Sequence, residues 1–243
     1  MNPDMPAKPT RGLPLAIREQ FFYEVWGKED NGLENLTETQ QKCLTYYYGL
    51  GTSALNTGKI QAILGVKNHS YVRGICAQGE KALDNYRKHK VLIALGQSEN
   101  AKDIPLDIRQ DYIKLMYGTE LSYEGLSREQ SLLFSSYYGL GFKRYPTDIK
   151  ELRRNFGIDA KQILKILEKS EEVIAKNWRD AFALDLIKEW SEDVGRFCPR
   201  CGSTNIYLMG KDDNNSSEIK CKDCAYVGGE IVELEKLVVR LAG

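Results

Sequence analysis

The hydrophobic pattern of this chain repeats once. Leu36-Thr-Glu-Thr-Gln-Gln-Lys-Cys-Leu-Thr-Tyr-Tyr-Tyr-Gly-Leu-Gly51 and Leu126-Ser-Arg-Glu-Gln-Ser-Leu-Leu-Phe-Ser-Ser-Tyr-Tyr-Gly-Leu-Gly141 are identical at seven of sixteen positions. Upstream, Pro14-Leu15-Ala16-Ile17-Arg18 matches Pro105-Leu106-Asp107-Ile108-Arg109; downstream, Leu64-Gly65-Val66 matches Phe156-Gly157-Ile158. Thr37-x-x-Gln40 and Ser127-x-x-Gln130 are capping boxes: the hydroxyl accepts from the third helical amide and the glutamine reaches back to the cap amide. Each predicts a helix that ends at Gly49 or Gly139, where glycine takes the left-handed conformation. A second helix is expected from near Thr57 or Thr147 to Gly65 or Gly157. A third follows after a turn of two or three residues, capped by Asn68 or Asp159. Helix, tight glycine turn, helix is the geometry of a helix-turn-helix.

Asn177 through Val194 reads as an amphipathic helix with Trp178, Phe182 and Trp190 as packing anchors. Ile206–Met209, Glu218–Lys220 and residues 225–227 read as strands, with residues 211–217 as a polar hairpin tip. Near the end, Ile231, Leu234, Val238 and Leu241 share one helical stripe, suited to packing at home or in a homodimer. The expected fold is mainly α: two tandem helix-turn-helix repeats plus a small β zinc ribbon. Its divisions are a tail at 1–13, repeat one at 14–92, a linker at 93–104, repeat two at 105–176, a connecting helix at 177–196, a ribbon at 197–229 and a C-terminal helix at 230–243.

Composition changes the picture in two ways. Of 243 residues 42% are hydrophobic and 28% charged, which excludes a mainly disordered chain. No apolar run is long enough to span a membrane, and the proline-rich start lacks the apolar stretch of a secretory signal, so a cytoplasmic protein is expected. The zero net charge hides an alternation. Residues 51–92 carry seven basic against two acidic side chains and 131–180 ten against seven, whereas 1–50 and 93–130 are net acidic. The basic stretches fall on the expected helix-turn-helix segments, where phosphate contacts belong.

Tyr47-Tyr48-Gly49-Leu50-Gly51, Ile60, Leu64-Gly65-Val66, Val72-Arg73-x-Ile75 and Ala82-Leu83 with Arg87 resemble region four of bacterial housekeeping-type sigma factors. The second copy resembles it through Tyr137-Tyr138-Gly139-Leu140-Gly141 and Phe156-Gly157-Ile158-Asp159. The family's acidic pair is replaced by Gly58-Lys59. The resemblance implies a module that reads promoter DNA through its helix-turn-helix and docks on RNA polymerase. In copy one the reading helix would present Asn68, His69, Ser70, Tyr71 and Arg73, of which asparagine and arginine suit bidentate contacts to adenine and guanine edges. In copy two it would present Lys161, Gln162 and Lys165. Lys59, Lys67, Lys150, Arg153 and Arg154 suit phosphates better than bases. Copy one, the more basic, is expected to read sequence, and copy two to add phosphate or polymerase contacts. The plainer reading is a tri-helical scaffold for protein contacts, with Tyr46, Tyr47 and Tyr48 as core.

The six cysteines are of two kinds. Cys43 and Cys76 stand singly on helices and read as core residues. Cys198-x-x-Cys201 and Cys221-x-x-Cys224 have metal spacing, each pair supplying two thiolates to one tetrahedral site. Zinc is the expected ion, in a structural role because four thiolates leave no open position. A redox dithiol or disulfides are the rival chemistry. The Cys-Pro-x-Cys-Gly knuckle resembles those of zinc ribbons, with Ala225 in place of the usual following glycine. Asp212 and Asp213 sit where transcription cleavage factors carry an acidic pair, although a solvated turn accounts for them too. No phosphate loop, zinc-hydrolase motif or nucleophile elbow is found, so no enzyme is expected. The expected function is DNA-binding transcription regulation, with double-stranded DNA and bacterial-type RNA polymerase as partners. The alternative is a polymerase-binding adaptor or inhibitor that reads no bases.

Overall fold

The computed structural model describes residues 13–97, 104–141, 145–194, 198, 203, 205–209, 218–223 and 225–228, and these are mainly helical. The helices are α1 (Arg18–Trp26), α2 (Glu38–Tyr48), α3 (Thr57–Leu64), α4 (His69–Ala94), α5 (Arg109–Tyr117), α6 (Arg128–Tyr138), α7 (Ile149–Phe156) and α8 (Ala160–Val194). Three short strands, β1 (Ile206–Met209), β2 (Glu218–Cys221) and β3 (Val227–Gly228), form an antiparallel sheet in chain order. Its register sets Ile206 opposite Cys221 and Lys220 opposite Val227. Among the described residues no helix is long and apolar enough to cross a membrane.

Two compact units are present: Met1–Asp84 with Asp180–Gly243, and Asn85–Arg179. In the first, α2 starts on the Thr37–Gln40 capping box, whose two halves are both formed, and stops at Gly49 with φ 78°. Gly49 is required twice over, because a Cβ there would also stand 2.6 Å from the Ala54 amide nitrogen. Arg18, only 3% exposed, donates to three backbone carbonyls: Leu13 at 3.0 Å, Tyr47 at 3.3 Å and Leu55 at 3.2 Å. Its guanidinium also lies 4.2 Å over the Tyr47 ring. This one side chain joins the segment before α1, the end of α2 and the approach to α3. The core stacks Phe21 on Tyr48, and the Tyr48 hydroxyl donates to Glu80 at 2.9 Å. Phe182 from α8 packs against Phe21, with centroids 6.2 Å apart.

The second unit holds a similar arginine clamp and a differently bonded buried glutamate. Arg109 donates to Ile104, Tyr137 and Thr147 carbonyls at 2.7, 3.1 and 2.8 Å and lies 3.6 Å over the Tyr137 ring. Tyr112 stacks on Tyr138, and the Tyr112 and Tyr117 hydroxyls donate to the buried Glu171, which also pairs with Lys88 at 2.8 Å. The Ser127–Gln130 capping box opens α6, and Gly139 closes it at φ 68°. Burial, followed by the charge of the nearby glutamate, pushes the Tyr48, Tyr112 and Tyr138 hydroxyls well above the ordinary tyrosine pKa. Ser170, fully buried on α8, has no hydrogen-bond partner for its hydroxyl among the described residues.

Three expected boundaries are corrected. The segment 177–196 is no separate connecting helix: up to Val194 it continues α8, because neither glycine nor proline occurs between Gly157 and Gly195. The expected linker at 93–104 begins inside α4, which runs to Ala94, and its last residue, Ile104, is buried in the core of the second unit together with Leu92. Of the expected tail at 1–13, the last residue, Leu13, is fully buried, and residues 1–12, the hairpin tip with Asp212 and Asp213, and the 230–243 helix lie outside the described residues.

Candidate nucleic-acid interface

In the first unit α3 is capped by Asn56, whose Oδ1 accepts from the Lys59 amide at 3.0 Å. It ends at Gly65 with φ 63°. After Val66 and Lys67, Asn68 caps α4 by accepting from the Tyr71 amide at 2.8 Å. Each cap contributes about 1 kcal/mol. The turn is fixed from inside by Ile60 on α3 and Val72 on α4, both fully buried. In the second unit α7 is capped by Asp148 through the Glu151 amide at 2.7 Å and ends at Gly157 with φ 69°. Asp159 then opens α8 in a reciprocal box, accepting from the Gln162 amide at 2.9 Å while its own amide donates to Gln162 Oε1 at 3.2 Å. Leu152 and Ile163 are the corresponding buried anchors.

With the apolar faces turned inward, every side chain singled out for DNA contact is exposed: Lys59, Lys67, Asn68, His69, Ser70, Tyr71 and Arg73 in one unit, Lys150, Arg153, Arg154, Lys161, Gln162 and Lys165 in the other. Tyr71 is 58% exposed, unusual for so large a ring. Three of these residues are more constrained than their sequence suggests. Asn68 and Gln162 use their side-chain oxygens in helix caps, so a two-point contact to adenine must share an oxygen that already accepts one hydrogen bond. His69 lies against α3: a Cβ on Gly58 would meet its Cε1 at 3.3 Å. Glycine at 58, which departs from the sigma pattern, thus leaves room for that ring.

In the β segment Cys198 and Cys221, one from each pair, are both 1% exposed and pack in one cluster with Ile206 and Tyr226. The Cys198 amide donates to the Ser203 carbonyl at 2.8 Å and the Cys221 amide to the Tyr226 carbonyl at 2.9 Å, which curls the chain around each sulfur. Asp223 accepts from the Ser203 hydroxyl and from Asn205 Nδ2. Cys201 and Cys224 lie outside the described residues. Ala225 takes φ 54°, the left-handed region, which is the physical reason glycine suits this position. The Asp223 carbonyl accepts from Asn56 Nδ2 at 3.1 Å, so one asparagine both caps α3 and holds the end of the β segment.

Sequence reasoning did not anticipate the carbonyl clamps of Arg18 and Arg109 or the approach of Cys43 to Cys76. The arginines carried a signal in their place within the matched Pro-Leu-x-Ile-Arg segments, whereas the two cysteines carried none. Set against known proteins, the chain matches no family model, no curated protein and no solved structure.

Proposed function

We propose that this chain is a DNA-binding transcription regulator built from two helix-turn-helix modules of the sigma region-four type, acting at promoters or on bacterial-type RNA polymerase. One observation carries the reading. In each unit a short helix ends at a left-handed glycine, and the next helix begins with exposed polar and basic side chains while Val72 and Ile75, or Ile163 and Leu167, anchor it in the core. A helix so presented fits the major groove with its first turn toward the bases. The matched contacts of Arg18 and Arg109 support descent of both units from one duplicated module.

The β segment is read as a zinc ribbon. Joint burial of Cys198 and Cys221 fits one tetrahedral site completed by Cys201 and Cys224, and such a site stabilises the fold with no position left for a substrate. A cytoplasmic setting goes with this reading, since reduced thiolates are needed to hold the metal.

The occupied oxygens of Asn68 and Gln162 favour a second reading, in which the same surfaces dock on polymerase and read no bases. Duplex binding across a salt series separates the two. Under the regulator reading, log affinity falls against log salt with a slope of roughly −0.9 per phosphate contact, and Lys59→Ala flattens that slope by about one unit on every duplex. Arg73→Ala lowers affinity by about 1–3 kcal/mol on the preferred site and little on random DNA. Polymerase binding without any salt-dependent duplex binding selects the adaptor.

A further inference from the structure

Cys43 on α2 and Cys76 on α4, 33 residues apart in sequence, bring their sulfurs to 2.9 Å in the core of the first unit. They are 0% and 5% exposed, and Cys43 Sγ also lies 3.6 Å from the Val72 carbonyl. The two helices are close-packed here. One turn along α4, a Cβ at Gly79 would stand 2.8 Å from Leu44 Cδ1, so the Leu44 side chain fills the space that this glycine leaves. Two sulfurs 2.9 Å apart need to close by only about 0.9 Å to reach the length of a disulfide bond, roughly 2.05 Å.

The second unit supplies an internal comparison. Where the repeat aligns, the places of Cys43 and Cys76 are taken by Leu133 and Leu167, which are 0% and 5% exposed. Two leucines fill that position without loss of the fold, so packing alone does not require sulfur in the first unit.

We propose that Cys43 and Cys76 are an oxidisable dithiol, an intrachain disulfide site that a small peroxide closes to lock α2 onto α4. The two thiols give up two protons and two electrons, the O–O bond of hydrogen peroxide breaks, two waters leave and one S–S bond forms. The closed loop contains α3, the turn and the first two turns of α4, so oxidation fixes the whole helix-turn-helix of this unit. Acidity assists the first step: the hydrogen bond from Cys76 lowers the Cys43 thiol below its ordinary range, while that same bond and burial hold Cys76 above its own. The inference rests on the α2–α4 contact and stands independently of the DNA reading.

The experiment treats the folded full chain with hydrogen peroxide, blocks remaining thiols with an alkylating agent in denaturant and digests with trypsin without reduction. Peptide 43–59 should be found joined to peptide 74–81 and separated by dithiothreitol. The melting midpoint of the first unit should rise by several degrees on oxidation, since the cross-link restricts the unfolded chain. Cys76→Ala should abolish both the linked peptide and the rise, and the linkage in unsubstituted protein is read whether or not that variant folds. Full alkylation of both cysteines after peroxide treatment overturns the proposal, as does a linked peptide that forms only once the protein is unfolded.

Discussion

Arginine is seldom found at 2–3% exposure, and Arg18 and Arg109 stay inside because each donates to three backbone carbonyls and lies over a tyrosine ring. Arg109→Met keeps the volume and withdraws those donors, leaving buried acceptors unmatched; the expected cost is about 3 kcal/mol or more. Arg109→Lys should recover little, because an ammonium group cannot fork to carbonyls on three segments. Urea titration of both variants checks this. Ala225 points the other way. Its left-handed φ of 54° strains an alanine and not a glycine, so Ala225→Gly should stabilise the β segment by about 1 kcal/mol. Under the zinc-ribbon reading proposed above, a zinc-competition titration reads that gain, since metal affinity and folding of such a segment are linked.

At the scale of elements, the glycines that end α2 and α6 are under a heavier constraint than their neighbours. At Gly139 a Cβ would stand 2.5 Å from the Pro146 nitrogen, whereas at Gly141, also left-handed with φ 70°, nothing lies within 4 Å. Gly139→Ala should therefore cost about 2–4 kcal/mol and Gly141→Ala only about 1 kcal/mol, as measured by thermal or denaturant melting. Much of this level was legible in the sequence. Thr37, Ser127, Asn68 and Asp159 each announce a helix start because a cap depends on residues three apart, and Gly49, Gly65, Gly139 and Gly157 announce the ends for an equally local reason. α8 runs unbroken through Asn177, where a separate helix was expected, since no glycine or proline precedes that point within it. Cys43 with Cys76, and Arg109 with Thr147, were not legible at all. Those pairs are 33 and 38 residues apart, and only packing brings them together. The same limit applied at the interface, where side-chain type nominated Asn68 as a base reader and Gln162 as a contact residue but could not reveal that both oxygens also accept backbone hydrogen bonds.

For the molecule as a whole, the buried tyrosines fix the alkaline limit of stability. A phenol whose pKa is raised by folding contributes fully below the unfolded value, near 10, and that contribution is lost as pH climbs toward the folded value. Each such tyrosine should cost about 1.4 kcal/mol per pH unit above 10. Tyr112 and Tyr138 in the second unit and Tyr48 in the first are all held well above that value, so both units should lose stability in base. Absorbance of ionised tyrosine, followed beside circular dichroism, should show these phenols titrating only as helix is lost. The two units also differ in how the chain builds them. Residues 85–179 are contiguous, while the other unit is assembled from segments on both sides of them, with Phe182 meeting Phe21 across more than 150 residues of sequence. A polypeptide emerging from the ribosome therefore completes the contiguous unit first, and the other lacks the Phe182 contact to Phe21 until that part of α8 has emerged. Chains that end at residue 179 and are released from the ribosome should resist proteolysis over 104–141 and 145–179 and be cut within 13–84, a vulnerability that the full-length chain lacks.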